Sequence, residues 1–238
     1  MTLPWRTVDT ADTNEGLMTL MQRGDREFTI KMESFVLMNS RLNLTEVALA
    51  GSACEALGSR RKPRVLIGGL GMAFTLKAAL DALPPDAQVT VAEINPVVER
   101  WCRGPLRDLT DGAVEDPRVE VRIGDVSQVI GQAARGRHTF DAIILDLYQG
   151  THDANDDPRD PFYGRTALET TRDALKDDGV FAVWTEFADS AFEKRLRNVG
   201  FDCRCTSPGK GGPRHIVYLA TKIGEKRDLS QRRKAAKR

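Results

Sequence analysis

The sequence predicts an α/β protein with a doubly wound, mostly parallel seven-stranded sheet, an antiparallel hairpin at its C-terminal edge and a small β module in front. Three observations predict this. Short apolar or alternating runs fill the first forty residues, strands and helices alternate from Arg64 onward, and the last two strands are joined by a segment too short for a helix. We expect three regions: a β-rich module with one helix over 1–58, an α/β domain over 64–221, and a basic tail over 222–238.

The N-terminal module contains three predicted strands and a helix. The strands are Leu17–Gln22, Glu27–Met32 and Phe35–Met38, separated by turn residues. Asn43 is placed to cap the helix that follows, with Glu46 three residues on as the second member of a capping pair. Gly58 ends this helix.

The large domain repeats a strand followed by a helix. Predicted strands are Val65–Ile67, Gln88–Ala92, Arg118–Ile123, Phe140–Leu145 and Val180–Trp184. Predicted helices are Met72–Leu83, a helix starting at Asn95-Pro96, Val126–Ala134, Phe162–Lys176 and one near residues 192–199. Phe201–Thr206 and His215–Thr221 are the closing hairpin, with a turn predicted at Asp177-Asp178-Gly179.

Charge and composition limit the function classes. Lys and Arg total 35 and Asp and Glu total 34, so no global field attracts nucleic acid or a membrane. No apolar run reaches the roughly eighteen residues that a membrane helix needs, and residues 1–16 lack the apolar core of a secretory signal. The four cysteines are not spaced as a zinc site, so we expect no metal and a cytoplasmic protein with free thiols.

The first strand of the large domain runs into a turn that favours a nucleotide site. In Gly68-Gly69-Leu70-Gly71, the missing side chains let a ligand approach the backbone. Glu93 ends the second strand 24 residues after Gly69, where a carboxylate can accept both hydroxyls of a ribose. A dinucleotide site would need a small residue three positions after Gly71, and bulky Phe74 there argues against NAD.

Polar residues near the other strand ends extend this site. Asn95 follows Glu93 as a helix cap. Gly124 and Asp125 follow the third strand, where the carboxylate can accept from an adenine amino group or cap the next helix. Asp146 ends the fourth strand at the carboxyl edge of the sheet, where open α/β folds bind ligands. A carboxylate in such a water-poor cleft would stabilise a cationic sulfonium.

Five segments in this order resemble the spermidine synthase family (the polyamine aminopropyltransferases), within the class I S-adenosylmethionine-dependent methyltransferase superfamily. They are Arg64–Gly71, Val89–Pro96, Asp116–Asp125, Phe140–Asp146 and Ala174–Val180. The order and spacing hold from about residue 64 to residue 185. The β-rich start resembles a shortened form of the family's N-terminal β domain.

The resemblance implies a class I methyltransferase-like fold and S-adenosylmethionine, or its decarboxylated form, as the cofactor. It implies that Glu93 holds the ribose diol and that Asp125 and its neighbours hold the adenine. The turn Gly69–Gly71 would hold the methionine-derived part, and Asp146 would lie at the reaction centre.

Two positions depart from the family pattern. The family carries an aspartate after its glycines, to hold the aminopropyl amine, and this chain has Leu70-Gly71-Met72-Ala73 there. The family also has a second aspartate three residues after the one at Asp146, as base for the amine acceptor, and Gln149 replaces it here. An amide cannot take a proton near neutral pH, whereas only about one alkylamine in two thousand is neutral at pH 7.

The loop after Asp146 offers substitutes for this base. Tyr148, His152 and Asp153 all lie in it, and His152 suits the task best because imidazole titrates near neutrality. The other histidines, His138 and His215, belong to no motif, and we expect structural roles for them.

The leading hypothesis is a transferase that alkylates a small, amine-type acceptor by in-line displacement at the sulfonium. The transferred group is aminopropyl, as the resemblance implies, or methyl, because both family acids are missing. A non-catalytic nucleotide-binding homologue is the alternative that Gln149 suggests. Beyond a small-molecule acceptor, we expect no membrane partner and a possible homodimer; only the basic tail, predicted to be disordered, could contact RNA or an acidic partner.

Overall fold

A computed structural model describes residues 3–136, 139–148, 151, 157, 159–208 and 215–224. The strands are β1 (Arg6–Thr13), β2 (Gly16–Arg23), β3 (Glu27–Met32), β4 (Phe35–Asn39), β5 (Arg64–Gly68), β6 (Gln88–Glu93), β7 (Val119–Ile123), β8 (Phe140–Leu145), β9 (Leu175–Thr185), β10 (Phe201–Thr206) and β11 (Ile216–Lys222). The helices are α1 (Leu44–Leu57), α2 (Phe74–Ala82), α3 (Pro96–Arg103), α4 (Val126–Gly136), α5 (Arg165–Ala174) and α6 (Ser190–Asn198). Two short 3₁₀ turns cover Arg107–Leu109 and Ala113–Glu115.

The larger sheet has seven strands in the order β10-β11-β9-β8-β5-β6-β7. The five strands β5 to β9 run parallel to one another, while β11 runs antiparallel to both β9 and β10. This arrangement confirms the predicted doubly wound sheet and its antiparallel hairpin. Because the chain leaves β5 towards β6 on one side and later returns to β8 on the other, a crevice opens at the carboxyl ends of these strands.

The N-terminal module is a four-stranded antiparallel sheet in the order β1-β2-β3-β4. Three of these strands were predicted, and β1 was missed. No residue of β1 is buried, so its sequence shows no apolar alternation, and its pairing with β2 fixes it instead. The sheet thus begins about ten residues earlier than the sequence pattern indicated.

Several predicted element ends are wrong. The helix predicted over 162–176 is shorter, and the chain from Leu175 already belongs to β9. The turn predicted at Asp177-Asp178-Gly179 is a bulge in that strand, with Asp178 at φ 56°. Lys222, which we assigned to the tail, is the last residue of β11 and donates from Nζ to the Leu175 carbonyl at 2.6 Å. Ile223 donates its N–H to the Gly200 carbonyl at 3.0 Å, and the tail from residue 225 to residue 238 lies outside the described residues.

The predicted caps do not form as expected. The Asn43 and Asn95 side chains make no cap hydrogen bond to α1 or α3, although both residues stand at the N-cap position. The side chain of Glu46 is therefore not tied into a capping pair with Asn43. Its surroundings are described with the cavity below.

The two sheets share one hydrophobic core. Met18 and Leu20 of the N-terminal sheet are buried in the same cluster as Leu49 of α1 and Val65 and Ile67 of β5. The division of the chain into modules over 1–58 and 64–221 stays a prediction. Among the described residues, every helix is too short or too polar to cross a membrane.

A buried carboxylate ties the segment between the two sheets to the large one. Asp141 is 4% exposed and accepts hydrogen bonds from Arg60 Nη1 at 2.9 Å, Lys176 Nζ at 2.7 Å and the Arg64 backbone N–H at 2.8 Å. Burial alone would raise the pKa of Asp141, yet the Arg64, Lys176 and Arg60 hydrogen bonds together lower it. The stabilisation is therefore present above the unfolded-state pKa near 3.8 and is lost as the pH falls through the lowered value.

Asp141→Asn should lower the free energy of unfolding by about 3 kcal/mol at pH 7, because two cations lose their shared buried partner. Urea denaturation measures the loss. Asp81→Asn is the control. The Asp81 side chain, which pairs with Lys77, is 62% exposed, so its loss should change the free energy of unfolding by less than about 1 kcal/mol. Equal effects of the two changes would contradict the structural role of Asp141.

Candidate active site

A cavity of about 700 Å³ lies where the two sheets meet. One side is formed by the residues that follow the carboxyl ends of β5, β6, β7 and β8. The other walls come from β2, β3, β4 and the first turn of α1. The cavity therefore occupies the crevice that the strand order creates, with the N-terminal sheet as a cover.

The glycine turn after β5 bends tightly along the cavity wall. The Gly69 N–H donates to the Ala92 carbonyl at 2.9 Å, and Gly69 has φ +88°. A Cβ on Gly69 would overlap the backbone carbonyl oxygen of Asp146. Gly71 has φ +52°, and a Cβ there would lie 2.9 Å from Sδ of Met38. Position 69 thus requires glycine for conformation and for space, whereas position 71 favours glycine for its positive φ and a Cβ there would displace the flexible Met38 side chain.

Glu93 is held at the end of β6 by the turn it faces. It is 6% exposed, and its Oε2 accepts from the Leu70 N–H at 2.9 Å while its Oε1 accepts from the Asn95 N–H at 2.8 Å. Burial raises the pKa of Glu93, and the two backbone hydrogen bonds oppose this shift. Each carboxylate oxygen retains a second lone pair, so Glu93 can still accept from two neighbouring hydroxyls.

Asn95 links the large sheet to the first hairpin. Its Nδ2 donates to Glu15 Oε2 at 2.8 Å, and the Tyr148 hydroxyl donates to Glu15 Oε1 at 3.2 Å. Glu15 lies in the turn between β1 and β2. The hairpin tip therefore closes one edge of the cavity through a carboxylate.

Asp125 caps α4 and also lines the cavity, while its role towards an adenine stays a prediction. Its Oδ1 accepts from the Ser127 N–H at 2.8 Å, which satisfies the start of α4. Asp125 also lines the cavity together with Gly124, whose N–H donates to the Glu93 carbonyl at 2.8 Å. The second carboxylate oxygen is available to a ligand.

Asp146 lies at the centre of the crevice, directly after β8. Its Oδ2 accepts from the buried Thr75 hydroxyl at 2.6 Å. Burial raises the pKa of Asp146, while Thr75 and the nearby indole N–H of Trp184 oppose the shift. That indole nitrogen is buried and has no well-aligned acceptor among the described residues. The native fold therefore holds a carboxyl group here at a cost in free energy.

A second carboxyl group faces Asp146 from α1 and was not predicted as a site residue. Glu46 lines the cavity in the first turn of α1 and is half-buried. Burial raises the pKa of Glu46 to about 7, with a further contribution from the charge of Asp146. The only sequence signal was its position as a capping partner, which said nothing of a cavity.

His215 also lies on the cavity wall, although we expected a structural role for it. Its Nδ1 is 2.6 Å from the Thr45 hydroxyl, and its ring centroid is 5.1 Å from that of Trp184. Thr45 immediately precedes Glu46 in α1. The start of α1 thus brings one hydroxyl and one carboxyl group to the cavity.

The cavity is acidic. Five carboxyl groups line it, those of Glu15, Glu46, Glu93, Asp125 and Asp146. No Lys or Arg stands beside them among the described lining residues. Like charges this close disfavour one another, so a cationic ligand would relieve the repulsion. Within the same part of the chain, no group of three or more His, Cys, Asp or Glu could hold a metal ion.

The structure brings most of the predicted site residues together. Gly69, Gly71, Glu93, Asn95, Gly124, Asp125 and Asp146 all line the one cavity. Gln149 and His152, with Asp153 and His138, lie outside the described residues. The assigned roles of all these residues stay predictions.

Glu93→Gln should lower the free energy of unfolding by about 1–3 kcal/mol. In the wild type both carboxylate oxygens accept from backbone N–H groups, and in the variant an NH₂ group would face one of these donors and leave it without an acceptor. The substitution should also weaken binding of adenosyl compounds if Glu93 holds a ribose. Urea denaturation and calorimetry measure the two effects. The control is Glu55→Gln, an exposed change on the outer side of α1. Wild-type stability of Glu93→Gln would contradict the hydrogen-bond pattern described above.

Comparison with known proteins identifies the family. The model of the spermine/spermidine synthase domain matches residues 62–196, more than half of the chain. The chain belongs to the spermine/spermidine synthase family. This confirms the resemblance noted in the sequence.

One curated member of the spermine/spermidine synthase family is the polyamine aminopropyltransferase 1 of Hyperthermus butylicus, 34% identical over 139 residues. The match covers 55% of this chain and 44% of that protein, so this chain spans less than half of the relative's length.

Solved members of the spermine/spermidine synthase family share the fold. The spermidine synthase of Thermotoga maritima gives a TM-score of 0.72 at 20% identity, covering 91% of this chain and 73% of that one. A spermidine synthase in complex with the transition state analogue AdoDATO gives 0.71 at 19% identity, covering 91% and 72%. The likeness includes both sheets, since it extends well beyond the matched domain.

Proposed function

We propose that this chain transfers an aminopropyl group from decarboxylated S-adenosylmethionine to a small amine. The observation that carries the proposal is the charge of the cavity, with five carboxyl groups and no Lys or Arg among its described lining residues. The sulfonium and primary amine of this donor and a protonated amine acceptor are all cations. The match to polyamine aminopropyltransferases supports the same chemistry.

The donor end of the proposed site is the glycine turn with the tips of β6 and β7. Glu93 would accept the two ribose hydroxyls with its free lone pairs, and Asp125 would accept from the adenine amino group. Gly69 and Gly71 line the cavity without side chains, so the sulfonium-bearing chain could lie directly against the backbone of this turn. These residues fit an adenosyl ligand.

The charge of the cavity favours the decarboxylated donor over S-adenosylmethionine itself. The carboxylate of S-adenosylmethionine would enter a space lined by Glu46 and Asp146, with no described Lys or Arg to balance it. The decarboxylated form brings only positive charge. Methyl transfer from S-adenosylmethionine is therefore the less favoured alternative.

The acceptor end would lie against the N-terminal sheet. Apolar side chains of β2, β3 and β4 line that side of the cavity, namely Met18, Ile30, Met32, Leu37 and Met38. Such a wall suits a chain of methylene groups, and the carboxyl groups beside it suit the amines at its ends.

The purified chain should be supplied with decarboxylated S-adenosylmethionine and a panel of monoamines, diamines and triamines, and then with S-adenosylmethionine and the same panel. We expect methylthioadenosine from the first donor and no adenosylhomocysteine from the second. Adenosylhomocysteine alone would mean methyl transfer. Calorimetric binding of the donor without either product would support the non-catalytic alternative instead.

A further inference from the structure

Two carboxyl groups approach the same space from different parts of the fold. Asp146 follows β8 of the large sheet, and Glu46 stands in the first turn of α1, next to the N-terminal sheet. Both line the cavity, and the charge of Asp146 acts on Glu46. Only the docking of α1 over β8 and β9 creates this pair.

Glu46 has no cationic partner that would offset its burial, although its carboxylate accepts from its own backbone N–H in the first turn of α1. No Lys or Arg pairs with it within the described part of the chain, and the cap residue before it, Asn43, makes no side-chain cap bond. Burying an unpaired carboxyl group costs free energy. A half-buried acid that faces a ligand cavity is therefore best explained by the ligand.

We propose that Glu46 is the general base that deprotonates the amine acceptor, a task that the amide of Gln149 cannot perform. This inference rests on the proposed function, because it assigns a residue to that reaction. Nothing in it depends on the position of Gln149, since the chemistry of an amide excludes that residue.

The step balances as follows. Glu46 carboxylate takes one proton from the acceptor ammonium, which leaves a neutral amine and a neutral carboxylic acid. The amine lone pair forms a bond to the carbon beside the sulfonium, and the carbon–sulfur bond breaks with its electron pair going to sulfur. The products are a neutral thioether and a secondary ammonium, and Glu46 releases its proton to solvent.

The groups that face Glu46 allow it this role. Asp146 reaches it from the end of β8, and His215, just before β11, and Trp184 of β9 line the same cavity. On α2, the Thr75 hydroxyl donates to Asp146. Lys77 of the same helix pairs with Asp81, so its charge does not balance that of Glu46. With a pKa of about 7, Glu46 is ionised in a useful fraction of molecules and still binds a proton well.

Four other titratable groups of the cavity are less suited to take the proton. Asp146 is engaged at Oδ2 by the Thr75 hydroxyl, and His215 is engaged at Nδ1 by Thr45. Glu93 has both oxygens bonded to backbone N–H groups. Glu15 accepts from Asn95 and Tyr148. Within the described part of the chain, Glu46 accepts from its own backbone N–H and from no other residue.

The test compares wild type, Glu46→Gln, Glu46→Asp and His215→Asn in methylthioadenosine formation from pH 5 to 9. For wild type, kcat/KM should rise tenfold per pH unit up to about 7 and then level off, as Glu46 becomes fully ionised. Glu46→Gln should be slower by about 10²–10⁴-fold at pH 7 and should keep climbing above it, because only the scarce neutral amine reacts. Glu46→Asp should restore the plateau in part.

Thermal unfolding of the free protein gives a readout that does not need turnover. Since the folded-state pKa of Glu46 lies above its ordinary value of 4.5, the native state binds its proton more tightly than the unfolded chain does. Stability from this group therefore falls as the pH rises from about 4.5 to 7, and Glu46→Gln should lose that part of the dependence. Glu55→Gln, on the exposed side of the same helix, should keep the wild-type profile in both experiments.

The outcomes separate the two proposals. If wild type forms no methylthioadenosine with any amine, the proposed function fails before any variant is compared. If wild type is active and Glu46→Gln keeps the same rate and plateau, the proposed function stands and the role of Glu46 is wrong. A plateau that disappears in His215→Asn instead would assign the base to His215 and equally overturn the inference.

Discussion

Replacing Asp146 with asparagine should lower kcat for the proposed aminopropyl transfer by about 10²–10⁴-fold while the protein becomes no less stable. The carboxylate stands at the centre of the acidic cavity, where it would stabilise the cations that meet in the reaction. Asparagine has the same shape and can still accept from the Thr75 hydroxyl, so only the charge is lost.

The stability of this variant follows from the raised pKa of Asp146. Because burial disfavours the charged form, ionised Asp146 destabilises the native state above its ordinary pKa of 3.8. A neutral isostere removes that cost, so the melting temperature at pH 7 should stay equal or increase. Such an exchange of stability for activity is common at active sites.

Product assay, calorimetry with the donor and thermal melting measure these three quantities. Asp202→Asn, an exposed change on β10, is the control and should leave all of them unchanged. An Asp146→Asn enzyme with wild-type turnover would remove Asp146 from the reaction centre. A large drop in melting temperature would instead assign it a structural role.

Gly69→Ala should cost about 3 kcal/mol of unfolding free energy and abolish most of the donor binding. The backbone at this position has φ +88°, and the added Cβ would overlap the Asp146 carbonyl oxygen. The backbone at Asp146 cannot move away easily, because the Asp146 N–H donates to the Gly68 carbonyl at 2.8 Å. Relief of the overlap must shift either the glycine turn or the tip of β8, and both line the cavity.

Gly51→Ala provides the matched comparison in the same protein. Gly51 lies inside α1 with nothing within 4 Å of a built Cβ, so alanine should raise the unfolding free energy by about 0.5–1 kcal/mol. Urea denaturation of both variants tests the pair. Equal tolerance of the two substitutions would contradict the close approach of the turn to β8.

The central strands of the large sheet, β5, β6, β8 and β9, could be predicted from the sequence because they are buried along most of their length. Phe140–Leu145 is buried at every position, and such continuous apolar runs mark strands within a residue or two. The edge strand Arg6–Thr13 has no buried position, so no local pattern reveals it. Helix ends were predicted less well, as at Ala73, where φ +62° delays the start of α2.

The part of the cavity formed by the large sheet could also be predicted, for a related reason. Glu93, Asp125 and Asp146 each follow a strand directly, so the parallel sheet alone brings them to one edge. Glu46, His215 and Met38 reach the cavity only through long-range packing. No sequence period or motif encodes the distance between α1 and β8. For that reason these three residues were not predicted to line the cavity.

The cavity has two sides of separate origin, since one row of carboxyl groups comes from the large sheet and the apolar wall comes from β2 to β4. Under the proposed function, substitutions in the first fifty residues could change which amine is alkylated without altering the groups assigned to the donor. Protein engineers could use the same separation by exchanging the N-terminal sheet between relatives to change acceptor length. Met38 packs close to Gly71, so an exchanged N-terminal sheet must keep a side chain that fits at this position.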